Sequence, residues 1–121
     1  MTVTATHLHP DGNYDIEPFI LSDTNETTVL SGLDGFRLHL TEIWLADDAG
    51  DARTATIKIT RAGTEITLVS GASIPASEPL VYPFNGPVLK KTSANTDTVK
   101  VTGSAAGIHG YVGFISVAST T

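Results

Sequence analysis

The chain has 121 residues, 40% of them hydrophobic, no cysteine, and 7 Lys+Arg against 13 Asp+Glu for a net charge of −6. That is the length of one domain with enough apolar residues for a core, and the missing thiols exclude disulfide staples, thiolate metal sites and cysteine nucleophiles. No apolar run approaches the ~18 residues that would cross a membrane, and the scattered cations, with Lys90-Lys91 the only basic pair, argue against nucleic-acid binding.

Residues 1–13 read as an extended N-terminal arm. The segment is polar, lacks the basic stretch and apolar run of a secretory leader, and ends on the turn-rich Pro10-Asp11-Gly12-Asn13. A β-sandwich domain is expected over residues 14–121. Tyr14 to Ser22 forms a first strand, placed at a sheet edge because Pro18 lacks a ladder donor. A turn at Asp23-Thr24-Asn25-Glu26 leads to a short strand over Thr27–Leu30, closed by Ser31-Gly32-Leu33-Asp34-Gly35. In Phe36–Ala46, Phe36, Leu38 and Leu40 alternate with Arg37, His39 and Thr41, the period of a half-buried strand. The phase then slips, because Glu42 falls where an apolar residue is due, and a β-bulge near Thr41-Glu42 would absorb the slip. The rival is an amphipathic helix, with Phe36, Leu40, Ile43 and Trp44 on one face.

After the acidic turn Asp47-Asp48-Ala49-Gly50-Asp51, two alternating runs, Ala55/Ile57/Ile59 and Ile66/Leu68, flank Arg61-Ala62-Gly63-Thr64. This is the pattern of a β-hairpin. A loop over residues 70–79 precedes a strand over Leu80–Phe84, broken by Pro83 and so placed at an edge. Val88-Leu89, then Val99 and Val101, then Ile108–Val117 complete the set. The last strand is apolar on both faces, as a central or interfacial strand is. The whole reads as all-β: an antiparallel β-sandwich, jelly-roll-like, with about eight strands.

Catalytic constellations are thin. His7 and His9 have metal-ligand spacing but no third ligand nearby. His39 reads as a surface residue, and His109 as a packing or interface residue. Asp47, Asp48 and Asp51 crowd carboxylates as calcium loops do, without the spacing of an EF-hand, so calcium binding at Asp47–Asp51 stays open. Nothing brings Glu42 and Glu65 together as a hydrolytic carboxylate pair. Ser31 lacks the G-x-S-x-G elbow, and no glycine-rich phosphate loop occurs. Asn25-Glu26-Thr27 spells a glycosylation sequon, which means little without a leader. No enzyme activity, metal or cofactor is expected.

The C-terminal half carries a resemblance. The hairpin Thr56-Ile57-Lys58-Ile59 with Ile66-Thr67-Leu68 is followed by Ile74-Pro75-Ala76, Pro87-Val88-Leu89, Asp97-Thr98-Val99-Lys100-Val101 and a Gly-rich apolar strand. Over residues 26–118 this resembles the small jelly-roll virion proteins of tailed bacteriophages: capsid decoration (cement) proteins, head-fibre modules and some tail modules. Thr96-Asp97 departs from their usual Gly-Asp. The resemblance implies a homotrimer on the capsid surface, made in the host cytoplasm, with the major capsid protein as partner and an arm reaching across neighbouring subunits. Val3, His7, Leu8 and His9 are the arm residues expected to dock. Trp44, Tyr82, Phe84, Tyr111 and Phe114 are expected in self-association or core packing, Trp44 in the core first. The rival role is a receptor- or carbohydrate-binding module of a tail or head fibre, for which eight aromatic residues offer few platforms.

Overall fold

The computed structural model describes residues 12–119. Nine strands occupy them: β1 (Gly12–Ile20), β2 (Thr27–Ser31), β3 (Phe36–Asp47), β4 (Arg53–Arg61), β5 (Thr64–Ile74), β6 (Leu80–Pro83), β7 (Val88–Leu89), β8 (Thr98–Gly103) and β9 (Ile108–Ala118). In the first sheet β1, β9 and β3 lie side by side, and β6 and β7 share the far edge of β3. The second runs β2, β8, β4, β5. Pairing is antiparallel and nested: β1 with β9, β2 with β8, β3 with β6 and β7, β4 with β5. A long ribbon turned back at the β4–β5 hairpin and then rolled, so that β9 meets β3 and β8 meets β4, has this connectivity. It is a jelly roll of eight strand positions. The ninth strand arises because Pro83 and Pro87 interrupt the outermost position. The chain turns there through Gly86 at φ 92°, while Phe84 N–H donates to Thr41 O and Leu40 N–H to Pro87 O.

Alternation sets the core. β4 buries Ala55, Ile57 and Ile59, and β8 buries Val99 and Val101. They meet Leu38, Leu40, Ile43 and Leu45 of β3 and Ile108, Val112 and Phe114 of β9. Each large aliphatic side chain removed from water contributes about 1.5–3 kcal/mol. In β3, Leu40 pairs with Phe114 and Glu42 with Gly113, so Thr41 is the extra residue of a β-bulge. The bulge returns Ile43 and Leu45 to the core and turns Trp44 outward. The helical alternative for residues 36–46 is thereby excluded, and Trp44, read first as core, lies on the outer side of the first sheet.

Two tight features frame the molecule. The β4–β5 turn places Ala62 (φ 51°) and Gly63 (φ 84°) in the left-handed region, as a two-residue hairpin turn matched to strand twist does. Asp97, 3% exposed, accepts the Ala62 N–H on Oδ1 at 2.8 Å and the Lys90 N–H on Oδ2 at 3.0 Å. Arg61 Nε lies 3.3 Å from the same carboxylate. At the other border, Gly12 and Asn13, assigned to the arm by the Pro10–Asn13 turn signal, are the first residues of β1, opposite Val117 and Ser116. Val3, His7, Leu8 and His9 lie outside the described residues.

Candidate interaction surface

The outward faces of the two sheets differ in chemistry. On the β2-β8-β4-β5 sheet the cross-strand register puts Thr28 opposite Lys100, Thr56 opposite Thr102, Thr60 opposite Thr98 and Lys58 opposite Thr67. Lys58 Nζ lies 3.2 Å from Glu26 and 3.4 Å from Glu65, and Lys100 Nζ 3.8 and 3.7 Å from the same two carboxylates. Hydrogen bonds from Lys58 to Glu26 and then Glu65 raise its pKa above the ordinary lysine value. This is a solvated face of threonine and paired charge.

The outward face of the first sheet is apolar. Beyond Val117 and the exposed Arg37 at one end, its four rows, read across β1, β9, β3 and the β6/β7 edge, are Tyr14, Ile115, His39 and Val88; Ile16, Gly113, Glu42 and Pro83; Pro18, Tyr111, Trp44 and Val81; and Ile20, His109 and Ala46. Ile20 is 69% exposed and Val81 51%, with Tyr14 and Ile16 close behind. Trp44 and Tyr111 stack with ring centroids 6.1 Å apart and planes 9° from parallel, and His109 tilts against Trp44 at 5.8 Å. β1 forms a flange: its other side carries Asp15 and Glu17, both exposed.

One carboxylate sits within this face, and it is internally satisfied. Glu42 Oε1 accepts the Tyr14 hydroxyl at 2.9 Å, and its Oε2 accepts the Thr41 hydroxyl. Gly113 provides the space, since a Cβ there would overlap the Glu42 carboxylate. Desolvation, then the bond to Glu42 and its charge, push the Tyr14 phenol from 10.0 up to about 12. The raised value means the fold favours the neutral phenol. That contribution to stability is complete below pH 10.0 and is lost as pH rises through about 12. Alkaline titration of tyrosinate absorbance is expected to contain one component near pH 12 that Glu42→Gln moves toward the ordinary value. An unchanged titration in the variant would remove Glu42 from the account.

The remaining sequence candidates are dispersed. Asp47 Oδ2 accepts the Asp51 N–H at 2.9 Å, which with the nearby Arg53 holds its pKa below the usual carboxylate value. Asp51 lies 3.3 Å from Arg53, and Asp48 points to His109 Nδ1 at 2.7 Å. Asp47 and Asp51 therefore share Arg53, while Asp48 turns to His109. Glu42 and Glu65 lie on opposite faces of the sandwich. Phe84 and Phe114 are core, and Tyr82 packs edge-on against Phe84 at 5.7 Å. Of the five aromatic candidates only Trp44 and Tyr111 share the apolar face. Its other members, Tyr14, Ile16, Ile20 and Val81, were not singled out from sequence. Their signal was there in β1, where Tyr14 and Ile16 alternate with Asp15 and Glu17.

No family model matches this chain, and no curated protein matches it by sequence. Solved structures do. A chain of the T13 particle of infectious bursal disease virus superposes with a TM-score of 0.56 at 7% identity, over 89% of this chain and 31% of that one. A chain of the Gx strain of the same virus gives 0.46 at 10% identity, over 89% and 33%. A pentameric capsid protein from metagenomic phage sequences gives 0.38 at 22% identity, over 85% and 62%. The chain thus spans about a third of the length of the bursal disease virus chains. Its fold, an antiparallel β-sandwich of two sheets, is similar to part of a chain of that virus particle.

Proposed function

We propose that the chain is a structural virion protein, a capsid decoration (cement) protein that binds the outer surface of a phage head and clamps adjacent capsomers without catalysing a reaction. The observation that carries this role is the jelly roll, similar over 89% of its length to a chain of a virus particle. The apolar outer face adds support, because a domain meant to stay solvated on all sides seldom exposes a contiguous patch of that kind. The partner is the major capsid protein, the working unit a homotrimer, and the location the virion, after synthesis in the host cytoplasm. Clamping stabilises the shell because whatever binds only the assembled state shifts the equilibrium toward it. The arm, through Val3, His7, Leu8 and His9, supplies the docking contacts.

The test is deletion of residues 1–11, which spares β1. The truncated protein is expected to stay folded and oligomeric and to lose binding to capsids in a co-sedimentation assay. Full occupancy by the truncated protein would rule out docking by the arm. A second role, carbohydrate binding, is favoured by the stacked Trp44–Tyr111 pair, a ready platform for a sugar ring. Saturable glycan-array hits abolished by Trp44→Ala would establish it over decoration.

A further inference from the structure

We infer that the outward face of the β1-β9-β3-β6/β7 sheet is where copies of this chain meet, and that a second copy covers it. The same patch on both copies makes this a two-fold contact, separate from the three-fold one of the role proposed above, and it needs no capsid.

Three observations choose a second copy over other occupants. The first is charge. Along the described residues the carboxylates lie almost everywhere else: Asp15 and Glu17 on the reverse of β1, Glu26 and Glu65 on the opposite sheet, Asp23, Asp34, Asp51 and Glu78 in loops and turns. Two acidic molecules, each at −6, approach with least repulsion through the face that holds only two of the described carboxylates, Glu42 bonded to the Tyr14 and Thr41 hydroxyls and Asp48 beside His109. A basic partner would find its counter-charges on the other surfaces.

The second is hydrogen bonding. Burial is costly when it orphans polar groups, and the central ones here already have partners within the face. Glu42 is folded into the Gly113 notch beneath the Tyr14 and Thr41 hydroxyls. The face can be covered by an apolar surface that brings no donors, and Ile16, Ile20, Val81 and the Trp44–Tyr111 stack of another copy are such a surface.

The third is size. Strands spaced by ~4.8 Å and rising ~3.3 Å per residue give the four rows a flat projection of roughly 500 Å². Covering it on two surfaces buries roughly 1,000 Å², the least that a specific protein interface needs. A sugar or small ligand would leave most of it wet.

Ile20→Asp with Val81→Asp tests the inference on the purified chain without particles. Both positions are solvent-exposed in the single chain, so the substitutions spare the core. Wild type is expected to be oligomeric by light scattering, and the double variant to associate at least tenfold more weakly with an unchanged circular dichroism spectrum. Thr28→Asp on the opposite sheet is expected to leave the mass unchanged. A monomeric wild type, a double variant that keeps its mass, or equal dissociation by Thr28→Asp would each overturn the inference. Should the double variant fail to fold, Ile20→Lys alone gives the same readout. Loss of oligomers with the substitutions while wild type ignores capsids would sink decoration and leave the interface standing.

Discussion

Replacing Asp97 by alanine is expected to lower the stability of the domain by about 3 kcal/mol, since hydrogen bonds to a charged acceptor contribute about 1.5–3 kcal/mol each. Its carboxylate joins parts of the chain far apart in sequence: the Ala62 N–H of the β4–β5 turn, the Lys90 N–H after β7, and Arg61. Its backbone adds bonds to Gly32 and Lys90. Removing the side chain leaves the Lys90 donor without an acceptor and releases a turn whose Ala62 sits at φ 51°, a conformation a residue with a Cβ adopts reluctantly. Asparagine keeps one acceptor oxygen but turns an NH2 toward the second N–H, so Asp97→Asn should recover only part of the loss. Urea denaturation reads both effects as a shift in midpoint at constant slope. A shift below about 0.5 kcal/mol, the scale of an ordinary surface substitution, would show that the turn holds without the carboxylate.

Gly110→Ala is expected to be at least as damaging, at about 3 kcal/mol or more, the upper range for forcing atoms into a packed site. Gly110 lies in the central strand β9, opposite Phe19 on one side and Leu45 on the other. A Cβ there would overlap the Trp44 carbonyl oxygen and come within 2.8 Å of its carbon. The obstacle is backbone in the neighbouring strand, so relief requires the β3–β9 ladder to part. Gly113→Ala is the informative contrast, because the obstacle there is mainly the Glu42 side chain, which can swing away. Its cost should be nearer 1 kcal/mol, with the Tyr14–Glu42 bond as the casualty. Thermal melts order the two variants: a drop of roughly 10 °C for Gly110→Ala and a few degrees for Gly113→Ala. Equal melting points would mean that β9 has room the close approach denies.

How much of this was legible in the sequence depended on whether the cause was local. The bulge at Thr41 was, because Glu42 breaks an alternation that Ile43 and Leu45 resume. So was the β4–β5 hairpin, since two alternating runs around Ala62-Gly63 leave little choice of turn. The apolar face was not. Its rows draw one residue from each of β1, β9, β3 and the β6/β7 edge, and single-strand periodicity says which residues share a face of one strand, not which strands lie together. Trp44 was within reach of the same local reasoning, since it alternates with the buried Ile43 and Leu45, and its size alone made it look like core. Asp97 was noticed only as a departure from a family pattern, and its partners Ala62 and Lys90 are brought to it by the fold alone.

The nested pairing sets the order in which the molecule can assemble. β4 and β5 are joined by two residues and can meet at little entropic cost, whereas β1 and β9 are separated by most of the chain. Loop-closure entropy and contact order therefore favour zipping outward from the hairpin, and they make the fold slow beside a helical domain of the same size. The strand that docks last is β1, which carries Tyr14, Ile16 and Ile20. Until β1 docks on β9, every row of the apolar face lacks its outer end, so the face is complete only in the finished fold.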